Sequence, residues 1–157
     1  MRRITRVGIV TDRDDIRKLC EFLLLKPEGY PNYESWVRKA ADEIRLGHKK
    51  AFACVRNDEM IADLILQRDK KDRLSLEIKN MRVDPRCEGN RIGSRILKLA
   101  EGFAAENGFR RIVGDIHSSD RKTINFFLKR GFSVLAEEKL YRKEQMETIV
   151  FKDIQGH

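Results

Sequence analysis

The chain has 157 residues, 41% hydrophobic and 37% charged, with a net charge of +8 and a pI near 9.6. That length suits one domain with a full core, so residues 1–157 are read as a single domain, and a basic balance favours anionic partners. Basic residues alternate with acidic ones throughout, no run approaches the roughly 20 apolar residues of a membrane span, and the three cysteines and three histidines form no ligand cluster. A nucleic-acid surface, a membrane partner, a metal site and a disulfide framework are therefore not expected, and the expected compartment is the cytoplasm.

Val7–Val10 reads as a short strand, with Thr11 or Asp12 placed to cap a helix carrying Ile16, Leu19, Cys20, Leu23 and Leu24 at helical spacing. Two prolines and a glycine between Lys26 and Asn32 break that helix. A second helix, Tyr33 to Leu46, shows Trp36, Val37, Ala40 and Ile44 on one face and stops at Gly47. Ala51–Arg56, the turn Asn57-Asp58-Glu59 and Met60–Gln67 read as a β-hairpin. A charged turn, Arg68–Arg73, leads to a strand from Leu74 to Val83 with Leu74, Leu76 and Ile78 on one face and Ser75, Glu77 and Lys79 on the other.

That strand runs into Asp84-Pro85-Arg86-Cys87-Glu88-Gly89-Asn90-Arg91-Ile92-Gly93-Ser94, and a helix begins at once, with Ile92, Ile96, Leu99, Ala100 and Phe103 read as its core face. The order strand, glycine turn, helix aims the first backbone N–H groups of the helix beyond the strand end, an arrangement that holds a phosphate or pyrophosphate. Cys87, ahead of a helix N-terminus, is read as a small loop side chain, with a lowered thiol pKa as the alternative. Asn107-Gly108 closes the helix, Arg111–Ile116 is the next strand, and Asp120–Arg130 is a short helix capped by Asp120 and ended by Gly131. Phe132–Leu140 and Glu147–Lys152 are the last strands. A P-loop would need a lysine after Gly93, and a Rossmann fingerprint needs three glycines after the first strand of its unit, so neither fits.

This order, with the glycine turn after the fourth strand, resembles the GNAT superfamily of acetyl-coenzyme A-dependent N-acetyltransferases. The family signature Gln/Arg-x-x-Gly-x-Gly/Ala falls on Glu88-Gly89-Asn90-Arg91-Ile92-Gly93, followed by the typical Ser94-x-Ile96-Leu97. A second stretch, Asp120 to Phe132, resembles Asn-x-x-Ala-x-x-Phe-Tyr-x-x-x-Gly-Phe. The resemblance implies an α/β (α+β) fold with a mixed sheet of about six to seven strands and about four helices. It also implies acetyl-CoA as co-substrate, an amine acceptor (protein, peptide or small molecule) and direct transfer of the acetyl group. It leaves a homodimer open as the assembly.

Three departures stand out. Glu88 replaces Gln or Arg and removes a side-chain donor from the turn. Arg91 replaces the middle glycine and needs a backbone that a non-glycine residue can adopt. Asp120 stands at the Asn position, and Phe127 at the position of the tyrosine that often serves as general acid.

By the resemblance, the pantetheine arm pairs with the backbone of Met81, Arg82 and Val83. The N–H groups from Glu88 through Gly89, Asn90, Arg91, Ile92 and Gly93 to Ser94 hold the pyrophosphate, and Asp120 contacts the arm. Phe127 is read as a core or cofactor-stacking ring, and Arg95, Arg121 and Lys122 as contacts to the 3′-phosphate. Glu77, eleven residues before Glu88, matches the offset of the catalytic glutamate in protein-lysine acetyltransferases and is read as the base. Alternatives for the acid are solvent or Tyr141, while His117 at a strand end is left unassigned. Tyr30, Tyr33 and Trp36 border the acceptor groove in this fold or pack the second helix on the sheet, the packing role being favoured for Trp36.

Overall fold

The computed structural model describes residues 5–25, 31–89, 91–141 and 144–155. Its elements are β1 (Thr5–Ile9), α1 (Arg13–Leu25), α2 (Tyr33–Arg45), β2 (Lys49–Arg56), β3 (Glu59–Arg68), β4 (Ser75–Val83), α3 (Ile92–Glu106), β5 (Arg111–His117), α4 (Arg121–Leu128), β6 (Ser133–Glu138) and β7 (Glu147–Asp153), with a 3-10 turn at Pro85–Cys87. The seven strands form one mixed sheet in the order β1-β2-β3-β4-β5-β7-β6. β1–β2, β2–β3, β5–β7 and β6–β7 pair antiparallel, and β4–β5 is parallel. Packing groups Met1–Gln67 with Asn80–Ala100, and Arg68–Lys79 with Glu101–His157.

In the first unit, Asp12 is the cap of α1: its Oδ1 accepts the Asp15 N–H at 2.8 Å. The three- and four-residue spacing puts Ile16, Leu19 and Leu23 at 1–2% exposure against Val37, Ala41 and Ile44 of α2 and Ala51, Ala53, Val55 and Ile65 of the sheet. Burial of each large aliphatic side chain contributes about 2 kcal/mol. Asp15 is buried and pairs with Arg6 at 3.0 Å, tying β1 to α1. Asn57 and Asp58, at φ 50° and 66°, make a two-residue hairpin turn whose positive-φ backbone matches the right-handed twist of the strands, with Glu59 already in β3 opposite Arg56.

Leu99, expected in the core, is 40% exposed. The buried stripe of α3 runs through Ile92, Ile96, Leu97, Ala100 and Ala104, which leaves Leu99 just past its edge, about a quarter turn from its centre.

In the second unit, β5 alternates as a strand covered on one face must: Ile112, Gly114 and Ile116 are buried, while Arg111, Val113, Asp115 and His117 are half-buried. Gly108 takes φ +76° and ends α3 as expected. Leu74 falls outside β4 and is 46% exposed, because Asp72 turns the chain there by accepting the Leu74 N–H at 3.1 Å and the Ser75 hydroxyl at 2.6 Å. β6 lies at a sheet edge and is irregular between Val134 and Ala136. It ends at Glu138, short of the expected Leu140.

Candidate active site

The glycine turn belongs to the first unit. At the end of β4 the Asp84 N–H donates to the Ile61 carbonyl at 2.7 Å, and its carboxylate accepts the Arg86 N–H at 2.9 Å. Pro85 then starts the 3-10 turn with its fixed φ. Gly89 follows at φ +86° and Arg91 at φ +59°. Arg91 thus occupies the small left-handed region open to side-chain-bearing residues, at a cost that glycine avoids. Asn90 lies outside the described residues.

At the start of α3 the Arg95 N–H donates to the Arg91 carbonyl at 3.1 Å. The N–H groups of Ile92, Gly93 and Ser94 precede it and occupy the positive end of the helix dipole. No acidic residue lies in that first turn, and Arg91 and Arg95 are exposed beside it. Glu88, also exposed, is the acid at the turn's start. Cys87 is buried, with the Arg56 guanidinium 4.0 Å from its sulfur. The small-side-chain reading accords with that placement.

On β4 itself, Arg82 sends Nη1 to the Leu23 carbonyl at 3.1 Å and Nη2 to the Tyr33 hydroxyl at 3.4 Å. Tyr33 is 7% exposed and stacks on Trp36 with 5.9 Å between centroids, and Trp36 packs on the α1–α2 core. Both rings therefore serve packing. Tyr30 lies outside the described residues.

In the same unit Asp63, fully buried on β3, accepts from Asn80 Nδ2 through both carboxylate oxygens. Burial pushes its pKa up to about 7, against the opposing pull of the Asn80 hydrogen bond and the Arg82 charge. Neither Asp63 nor Asn80 stood out in the sequence, because a polar residue inside a strand carries no mark of burial.

In the second unit the β4–β5 register Glu77↔Val113 sets Glu77 and Lys79 on the face that carries Asp115 and His117. Glu77 Oε1 accepts from Lys79 Nζ at 3.2 Å, and both side chains are about one-quarter exposed. At the far end of β5, His117 Nδ1 lies 2.8 Å from Oε1 of Glu147, which is 2% exposed on β7. Gln145 places its amide 2.5 Å from the same nitrogen. The Ser118 N–H donates to the Met146 carbonyl, and the Ser118 and Thr148 hydroxyls share a 2.7 Å bond, which fixes this end of β5 against β7. Glu147 was visible in the sequence only as the start of a strand, since its partner is 30 residues away.

Asp120 caps α4, accepting the Thr123 N–H at 3.2 Å and its hydroxyl at 2.7 Å. Phe127 is 4% exposed and meets Phe132 edge-to-face at 5.0 Å, so its ring packs in the core. Tyr141 is 56% exposed. Among the described residues no group of three or more His, Cys, Asp or Glu side chains could hold a metal ion, and no helix is long and apolar enough to cross a membrane.

The model of the acetyltransferase (GNAT) family matches residues 15–132, more than half of the chain. A GNAT-family protein from Desulfovibrio desulfuricans superposes with a TM-score of 0.84 at 14% identity, over 97% of this chain and 100% of its own. The ribosomal-protein-S18-alanine N-acetyltransferase of Escherichia coli gives 0.78 at 15% identity, over 98% and 96%. A Bacillus anthracis structure described as a streptothricin acetyltransferase, solved with acetyl-coenzyme A, gives 0.63 at 15% identity, over 69% and 64%. At such identities the likeness is one of fold. No curated protein matches the sequence.

Proposed function

Because the chain belongs to the acetyltransferase (GNAT) family, whose members are transferases acting with acetyl-CoA, we propose that it moves the acetyl group from acetyl-CoA to a primary amine by direct attack. The observation that carries this reading is the turn from Gly89 to Ser94. Gly89 and Arg91 both hold left-handed backbone, and the α3 N-terminus follows with two exposed arginines beside it. In this reading Met81, Arg82 and Val83 offer backbone to the pantetheine arm, the turn holds the pyrophosphate, and Arg95, Arg121 and Lys122 serve the 3′-phosphate. Asp120 adds its arm contact to its capping role.

An amine of the lysine type is protonated at neutral pH, so it must lose a proton before it attacks. Glu77 is the group proposed to take it, directly or through a water, exchanging its Lys79 partner for the incoming ammonium. The acceptor we favour is a protein or peptide amine ahead of a small-molecule amine, on the offset of Glu77 from the turn. We take residues 1–157 as one catalytic domain working in the cytoplasm, where three free thiols are at home. A homodimer is the assembly to test by light scattering.

Calorimetric titration with acetyl-CoA and with dephospho-CoA tests the cofactor, and thiol release across a panel of peptide and small amines tests the acceptor. Micromolar binding, weaker without the 3′-phosphate, is the expected result. Absence of acetyl-CoA binding would overturn the reading.

A further inference from the structure

The thiol formed in this reaction leaves as a thiolate unless a proton reaches the sulfur as the carbon–sulfur bond breaks. Phe127 is packed in the core without a donor group, so the proton has to come from solvent or from another side chain. We propose that His117, held by Glu147, delivers that proton from its Nε2.

Three observations carry the assignment, which rests on the acetyltransferase reading above. His117 is 38% exposed, on the same half-open sheet face as Glu77. Its Nδ1 is engaged by the Glu147 carboxylate at 2.8 Å, with the Gln145 amide at 2.5 Å from the same nitrogen, so Nε2 is the ring nitrogen directed away from both. Glu147 is 98% buried by its 2% exposure, and a carboxylate so placed costs stability unless it is partnered. A buried carboxylate on one imidazole nitrogen orients the ring and fixes which nitrogen faces it, which leaves the other N–H as the donor.

Glu77 and His117 have separate tasks on one acetyl carbon. Glu77 is in register with Val113, and His117 lies four residues further along β5, about 13 Å at strand rise. The attacking nitrogen and the leaving sulfur share that carbon, so the two side chains close this backbone distance from opposite ends, Glu77 with a water between. Glu77, through a water, takes the proton of the amine. The amine nitrogen then bonds to the acetyl carbon and gives its second proton to water, the carbon–sulfur bond breaks with its electron pair on sulfur, and His117 gives its Nε2 proton to that sulfur. Solvent afterwards reprotonates His117 and relieves Glu77, so that amide, thiol and one released proton balance the ammonium and thioester consumed.

The first test needs no acceptor. Nitrogen-15 spectra of the histidine rings in the full chain should show Nδ1 of His117 protonated and hydrogen-bonded, and Glu147→Gln should move those signals while the melting curve still reports a folded protein. A bare Nδ1 in the neutral ring would overturn the proposal, because Glu147 would not then be holding it.

The second test reads thiol release from acetyl-CoA, with the best amine of the panel or, if none is used, by slow hydrolysis, since the thiolate leaves in both. His117→Gln should lower kcat by about 100-fold and leave KM for acetyl-CoA within twofold. It should also remove the fall of kcat on the alkaline side. Among the described residues, the charged groups that strand register sets beside His117 on this sheet face are Glu147 on β7, Asp115 on β5 and Glu138 opposite Glu147 on β6. An unchanged kcat in His117→Gln overturns the proposal while acetyl-CoA binding by calorimetry upholds the acetyltransferase reading. Loss of that binding in the wild-type chain overturns both.

Discussion

Asn80 Nδ2 reaches both carboxylate oxygens of Asp63, at 3.1 and 2.8 Å, inside the first unit. Because Asp63 has its pKa raised from 3.8 to about 7, the folded chain holds a proton there that the unfolded chain releases. Its contribution is complete below the unfolded value, declines as pH rises, and is gone above about 7. Between pH 5 and 8 wild-type stability should fall by on the order of 2–3 kcal/mol, at about 1.4 kcal/mol per unit. Asp63→Asn keeps the shape without the titration and should flatten that slope. Urea melts of both proteins across this range check it, and parallel slopes would show that Asp63 is not the cause.

Arg91 at φ +59° should be replaceable by glycine with a gain in stability. The left-handed conformation costs a residue with a β-carbon about 1–2 kcal/mol, and glycine gives back about 0.5–1 kcal/mol through its freer unfolded chain. Arg91→Gly should therefore melt about 2 °C higher. Its affinity for acetyl-CoA should fall roughly tenfold, because a cation beside the phosphates is lost. Melting and calorimetry separate the two effects, and a lower melting temperature would refute the strain.

Glu77→Gln should cut turnover at neutral pH by about 100-fold while acetyl-CoA affinity stays within twofold. The ion pair with Lys79 is about one-quarter exposed, so its loss costs little stability. Normal turnover by the thiol-release assay would retire Glu77 as the base.

Asp120→Ala removes both hydrogen bonds to Thr123 at the start of α4. A lost cap costs about 1 kcal/mol, so the melting temperature should drop by about 2–4 °C. Asp120→Asn keeps an acceptor for the Thr123 N–H and turns the second bond round, its amide donating to the Thr123 hydroxyl, and should melt close to the wild type. Equal melting of the Ala variant would mean that α4 is held by Ile124 and Phe127 alone.

What the sequence made legible was local. The Asp12 cap, the Asn57-Asp58 turn and the Gly108 helix end depend on residues within four positions of one another, and each lies where its chemistry puts it. The glycine turn was legible for the same reason. The boundaries of the core were not. Leu99 fits the period of α3, but the width and centre of the buried stripe depend on what packs against it. The ion pair of Glu77 with Lys79 was within reach, since both residues had been set on one strand face. His117 with Glu147, and Asp63 with Asn80, are contacts across 30 and 17 residues that exist only once strand order and register are set. The chemistry of the second unit's open face therefore surfaced only with the sheet.

Strand β6 has a consequence for handling the protein at high concentration. It is a border strand with Val134 and Leu135 about half exposed, the kind of border on which foreign strands can nucleate. Its six-residue length, the offset between Val134 and Ala136, and the neighbouring charges of Glu137 and Glu138 spoil it as a template. Glu138, set opposite Glu147, thus also helps to keep one molecule from knitting to the next.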